Sequence, residues 1–310
     1  MSRIHPLLLL TALPLVACSS DDDDGPPEGT IYSYVVSEGS LPTSNQQAVE
    51  FGLDLNGDNV VDNQLGSVLA ALVSQGFDVQ DAIKEAIDQG DIILLMDLQT
   101  TSFSSAGRSG IKVHLSDKAS AMPAPCTDAT DVTCRKHLDG NGSFAIATGS
   151  PDNAAVTGKV VGGTFNGGPG DISIKIALGG PEGVQLNLIG ARAKASGMTE
   201  AGLDSVIVAG ALPEEDLKTQ VIPAIHSQLV PIITASCPMP QAADCGCPSG
   251  TARTILNLFD TAPKDCMVSV QEIADNTLIK SLLAPDVTID GQKALSLGIK
   301  VKATKATIRR

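Results

Sequence analysis

Between residues 172 and 188, on either side of one turn, apolar side chains recur at every second position, and this period constrains the fold more than any other feature of the chain. Ile172, Ile174, Ile176 and Leu178 alternate with Ser173 and Lys175, and after the turn Gly179-Gly180-Pro181 the rhythm resumes at Val184, Leu186 and Leu188. Successive strand side chains point to opposite faces, so such a run lays one apolar face on a core. Ile111, Val113 and Leu115 repeat the pattern, as do Phe144 and Ile146. Gly162-Gly163 and Asn166-Gly167-Gly168-Pro169-Gly170 read as turns between these strands. The second run lacks the Gly-Lys-Ser/Thr ending of a phosphate loop, and no helix pattern follows it. At the end of the chain, Leu295–Ile308 alternates apolar residues with Lys300, Lys302 and Lys305, a closing strand that returns to the central sheet.

Helical periods flank this region. Ile31–Val36 predicts a short strand. Leu65, Val68, Leu69 and Leu72 then share a helix face that stops at Gly76. A second helix starts at Asp78, buries Val79, Ala82, Ile83, Ala86 and Ile87, and stops at Gly90. Ile92–Leu98 is apolar throughout except Asp97, as in a strand buried on both faces. Pro213-Glu214-Glu215-Asp216 opens a helix through Leu217, Val221, Ile225 and Leu229 that Pro223 and Pro231 kink or break. The expected class is α+β: an antiparallel β-sandwich-like core with several short helices. Along the chain we distinguish a leader (1–17), a tether (18–30), an acidic loop with helices (31–100), a β-rich core with its following helix (101–236) and a cysteine-rich segment ending in the closing strand (237–310).

The chain carries 35 acidic against 21 basic residues, a formal charge of −14 at pH 7. Such a surface repels nucleic acid and suits divalent cations. There is no Trp, and with two Tyr and six Phe the aromatic platforms used to stack sugars or single-stranded bases are scarce. Beyond Cys18 stand six cysteines, Cys126, Cys134, Cys237, Cys245, Cys247 and Cys266. Cys126 and Cys134 are isolated from the others and should pair, a short closure stabilising by about 2–3 kcal/mol. Cys245-Gly246-Cys247 cannot easily bond internally, so one of the two reaches Cys266 and the other Cys237. A four-thiolate zinc site is the alternative; an oxidising compartment favours disulfides.

The first residues name that compartment. Arg3 precedes the apolar run Leu7–Val16, which ends Leu15-Val16-Ala17-Cys18. This is the layout of a secretory signal, too short to span a bilayer. Its ending resembles the lipobox of bacterial lipoproteins. The resemblance implies cleavage before Cys18, a diacylglyceryl group on its sulfur and acylation of the new amino terminus. In that family a residue other than aspartate after the cysteine, here Ser19, implies the outer membrane. Ser19-Ser20-Asp21-Asp22-Asp23-Asp24 resembles acidic tethers that send some lipoproteins to the cell face, and it also reads as a solvated linker. Cell-surface and periplasm-facing orientations both stay open.

Asp54-Leu55-Asn56-Gly57-Asp58-Asn59-Val60-Val61-Asp62 places oxygen-bearing side chains at loop positions one, three, five and nine, with an apolar residue at eight. It resembles the calcium loop of EF-hand and dockerin-type modules. That resemblance assigns Asp54, Asn56, Asp58 and Asp62 as side-chain ligands and the Val60 carbonyl as another, with calcium as the cofactor. Position six is Asn59 instead of glycine, and position twelve is Leu65, so the bidentate carboxylate is missing. Binding around 10⁻⁴–10⁻³ M is the expectation; a polar turn before a helix is the competing reading.

A second loop near the C-terminus is EF-hand-like but more worn. Ile255, Leu256, Leu258 and Phe259 make an entering face, Asp260 opens the loop, and one extra residue brings Val268, Ser269 and Glu272 to positions eight, nine and twelve. Asp260, Asp265, Ser269 and Glu272 are its candidate ligands. Ala262 and Lys264 stand where ligands belong, and Cys266 offers a disulfide in place of the metal. Ser269-x-x-Glu272 is equally a capping box.

His114, His137 and His226 form no His-Glu-x-x-His pair, and no Gly-x-Ser-x-Gly elbow occurs. His114 should face outward, opposite Val113, and Asp139-Gly140-Asn141-Gly142 reads as a hairpin turn. The expected function is a non-enzymatic, calcium-binding or calcium-stabilised envelope lipoprotein, bound to the membrane through its lipid, with a structural or partner-binding role. An exported hydrolase with a spatially assembled site, or an outer-membrane assembly or transport accessory, are the alternatives.

Overall fold

The computed structural model describes residues 25–74, 80–126, 133–176, 183–237, 245–247 and 250–310. Its strands are β1 (Thr30–Ser40), β2 (Ile93–Thr100), β3 (Ala106–Ser116), β4 (Gly142–Ala145), β5 (Ala155–Val161), β6 (Thr164–Ile176), β7 (Val184–Thr199), β8 (Gly202–Pro213), β9 (Val287–Ile289) and β10 (Gln292–Arg309). Helices α1 (Asn45–Phe51), α2 (Gln64–Ser74) and α3 (Gln80–Asp88) lie between β1 and β2. Between β8 and β9 come α4 (Glu214–Asp216), a π segment (Leu217–Val221), α5 (Ile222–Ser236), α6 (Thr251–Phe259), α7 (Val270–Asp275) and α8 (Thr277–Leu282).

The expected mixture of helices and a large antiparallel sheet is present, and the sheet is closed. Neighbours run β1-β2-β3-β5-β6-β7-β8-β10, and β10 pairs back onto β1 from Tyr34↔Lys305 to Ser40↔Lys300. All eight contacts of this ring are antiparallel. The core is thus sandwich-like in having facing walls, but the walls belong to one sheet whose edges are joined. Closure removes the unpaired edges that would otherwise template association. β4 adds a short parallel pairing to the end of β10, and β9 an antiparallel one to its start.

Tyr34 identifies the inward face. Its hydroxyl donates to the Thr199 carbonyl at 2.7 Å, on a strand that is not a neighbour of β1. Met96, Leu98, Ile111, Phe165, Leu186 and Leu188 are buried in the same cluster. Under α3, Val36, Leu41, Ile83, Ile87, Leu94 and Ile299 help line an apolar cavity of about 30 Å³. That is room for about two waters, an order of magnitude below the ~300 Å³ of a small-molecule site.

Several expectations are corrected. Asn166–Gly170 is no turn: it lies inside β6, where the register shifts on both sides of Gly170 and Gly168 sits at φ 111°. A Cβ on Gly167 would meet the Phe165 ring at 2.4 Å, so glycine here admits a bulge over a buried aromatic. β1 outruns Ile31–Val36 because Glu38, Gly39 and Ser40 pair with Lys302, Val301 and Lys300. Pro223 and Pro231 do not break their helix. Pro223 stands where π hydrogen bonding gives way to α, the point at which its missing N–H is tolerated, and Pro231 lies within α5. Asp139–Asn141 turns the chain from a 3₁₀ segment into β4, not between two hairpin strands. Gly76, Asp78 and the turn 179–181 lie outside the described residues.

His114 is 5% exposed, not outward in solvent. It does oppose Val113, but the outer face of β2 and β3 is covered: Ile146 bridges to Ser116, and Arg310 reaches Asp97. His137 is fully buried, edge-on to Phe144 with ring centroids 6.3 Å apart. His226 is half-buried, its Nε2 2.9 Å from the Val268 carbonyl.

Candidate metal centre

The acidic stretch after α1 folds back on itself through its own side chains. Leu53 and Asp62 form an antiparallel bridge that closes its base. Asp54 accepts from the N–H groups of Gly57 and Asn59 at 2.6 and 2.9 Å. Asn56 Oδ1 accepts from Asp58 N–H at 3.0 Å, and Asp58 Oδ1 from Val60 N–H at 2.8 Å. Asn59 takes φ 66°, the left-handed conformation that glycine supplies at this place in a calcium loop and that asparagine tolerates.

This loop is fastened to the barrel. Leu55 is buried against Ala209, Ala211, Val287, Ile289 and Ala294. Asn63 caps α2 by accepting from Gly66 N–H at 3.0 Å; it also accepts from Gly298 N–H at 2.8 Å and donates to the carbonyls of Ala48 and Gly298. Gln64 N–H donates to Ser296 Oγ, which donates in turn to Asp286.

Asp62 carries the electrostatic strain. It is 8% exposed and its Oδ2 accepts from Leu55 N–H at 2.8 Å. Burial pushes its carboxyl above the ordinary value; the Leu55 N–H opposes this, and the charges of Asp58, Asp286 and Asp54 add to it. Asp54 moves the other way: desolvation pushes it up, but the N–H groups of Gly57 and Asn59, with the Arg192 charge, outweigh that and hold it low. Three carboxylates and an amide oxygen are hard donors of the kind calcium takes, and a cation would relieve the charge crowding at Asp62. The donor set therefore fits calcium in kind, through Asp54, Asn56, Asp58, Asp62 and the Val60 carbonyl.

The second loop repeats this skeleton with one residue inserted. α6 enters and α7 leaves. Asp260, 5% exposed, accepts from Asp265 N–H at 3.3 Å and Cys266 N–H at 3.1 Å. Asp265 accepts from Met267 N–H at 3.0 Å, as Asp58 does from Val60. Cys266 has φ 65°, matching Asn59. Glu272 makes the capping box with Ser269, and its other oxygen accepts from Thr261 N–H. Thr261 follows Asp260 as Leu55 follows Asp54, so in the first loop Asp62 supplies the carboxylate that Glu272 supplies here. Desolvation raises Glu272, but the bonds from Ser269 and Thr261 outweigh it and hold the carboxyl low.

Disulfides join Cys126 to Cys134, as expected, and of the two arrangements left open for the others the structure has Cys237 bonded to Cys247 and Cys245 to Cys266. The sulfurs of Cys245 and Cys266 and a carboxylate oxygen of Asp260 lie within 4.8 Å of one another. No other group of three His, Cys, Asp or Glu ligand atoms converges so closely among the described residues, and the carboxylates of the first loop are spread wider. Sequence reasoning missed Asn63, Asp286, Ser296 and Arg192; only Asn63, one residue before a helix pattern, left a signal there. Cys18 and the acidic run 19–24 lie outside the described residues. Among those described, no helix is long and apolar enough to cross a membrane. Comparison with protein-family models, curated proteins and solved structures finds no match.

Proposed function

We propose that this protein is a calcium-stabilised lipoprotein of the bacterial outer membrane, non-enzymatic, with a structural or partner-binding role. The observation that carries the reading is the buried, charge-crowded Asp62 in a loop whose exit is clamped to β10. Asp54, Asn56, Asp58, Asp62 and the Val60 carbonyl would hold the ion. Calcium would add positive charge to a cluster in which Arg192 already acts on Asp54 but Asp62 is crowded by Asp54, Asp58 and Asp286. Because Asn63 and Gln64 hydrogen-bond to Gly298 and Ser296, ordering of the loop is transmitted to a strand of the closed ring. The lipobox-like Leu15–Cys18 supports the anchor, and the acidic tether supports placement away from the bilayer surface.

The test is the melting temperature of residues 25–310 in chelator and in millimolar calcium. Millimolar calcium is about one to ten times the expected Kd, which stabilises the native state by about 0.4–1.4 kcal/mol. Calcium should raise the midpoint by about 1–5 °C, and Asp58→Ala should remove the rise. An unchanged midpoint, or an Asp58→Ala protein that still responds fully, overturns the reading.

A further inference from the structure

The Cys245–Cys266 disulfide stands where the second loop would otherwise hold a cation, beside a carboxylate that is almost wholly buried. We propose that reduction of this bond opens a site for a soft divalent cation such as zinc, made of the two thiolates and the Asp260 carboxylate. This proposal is independent of calcium in the first loop. A dithiol gives the bond two electrons and two protons, becoming its own cyclic disulfide and leaving two protein thiols; the incoming cation displaces both thiol protons.

Three features favour the site. The three ligand atoms already lie within 4.8 Å of one another. Both sides stay anchored when the bond opens. Cys245 is two residues from Cys247, which is bonded to Cys237 within the buried core of α5–α7, and Cys266 N–H remains tied to Asp260. Exposure also orders the chemistry: Cys245 and Cys266 are half-buried, whereas Cys237 and Cys247 are 7% and 3% exposed. A mild dithiol therefore meets the Cys245–Cys266 bond before its neighbour. Two thiolates select zinc or cobalt over calcium, so this loop would differ in kind from the first.

Cobalt(II) reports such a site through its thiolate charge-transfer absorption. The full-length protein, treated anaerobically with a mild dithiol and freed of it, should develop that absorption with cobalt, while the oxidised protein should not. Cys266→Ser should abolish it. Asp260→Asn, which leaves every cysteine in place, should weaken cobalt binding on the order of tenfold, with circular dichroism unchanged. No absorption in the reduced protein, absorption surviving Cys266→Ser, or an Asp260→Asn affinity equal to the parent's overturns the proposal.

Discussion

His137 is a basic side chain held where its charged form is disfavoured. Both ring nitrogens are buried without a hydrogen-bond partner. Burial above all pushes its pKa below the ordinary value; the nearby Ile87 carbonyl and the Asp88 charge oppose this, and the Arg135 and Lys118 charges act with burial. The unfolded chain therefore binds this proton more readily than the folded one. Its contribution is complete above about pH 6.5, the unperturbed imidazole value, and declines as pH falls below it. The urea midpoint should drop between pH 7 and pH 5, and His137→Phe should flatten that drop; an equal slope in both proteins would exclude the account. Asp97 acts in a lower window. Burial raises it, but bonds from His114, Ser33 and Arg310 outweigh burial and hold it low, so its contribution is lost only in stronger acid. Neither environment could be read from the chain. Alternation told which face His114 takes but not that Arg310, nearly two hundred residues away, would help cover that face.

At the scale of the element, the first acidic loop was legible where its information is local. Asp54, Asn56 and Asp58 all bind backbone N–H groups within five residues, so their spacing alone predicts the turn. The clamp was not legible, because Asn63 and Gly298 are far apart in sequence and meet only once the ring closes. Asn63→Ala leaves buried N–H and carbonyl groups on Gly298, Gly66 and Ala48 unpaired. It should cost about 2–4 kcal/mol in urea unfolding and also weaken calcium binding. A loss below about 0.5 kcal/mol would mean that the clamp is not structural. Glycine misled at Asn166–Gly170 for a plain reason: turns and bulges use the same residue, and only the packing of Phe165 decides between them.

For the whole molecule, the periods of two and 3.6 sufficed for class, and the cysteine spacing sufficed for Cys126–Cys134 but not for which of Cys245 and Cys247 takes Cys237 and which Cys266. Closure was beyond them. An alternating strand is compatible with an open sheet or a ring, and only the pairing of β1 with β10 distinguishes the two. The proposed anchor has its own test: Cys18→Ser should move the protein from membrane to soluble fractions, and continued membrane association would contradict it. The central claim concerns the coupling of one ion to this ring, and calorimetric titration of residues 25–310 with calcium tests it most directly. The account predicts a single site with Kd on the order of 10⁻⁴–10⁻³ M, lost in Asp58→Ala and weakened in Asn63→Ala. No binding heat up to 10 × that range (about 10⁻² M), or a titration unchanged by Asp58→Ala, would contradict it.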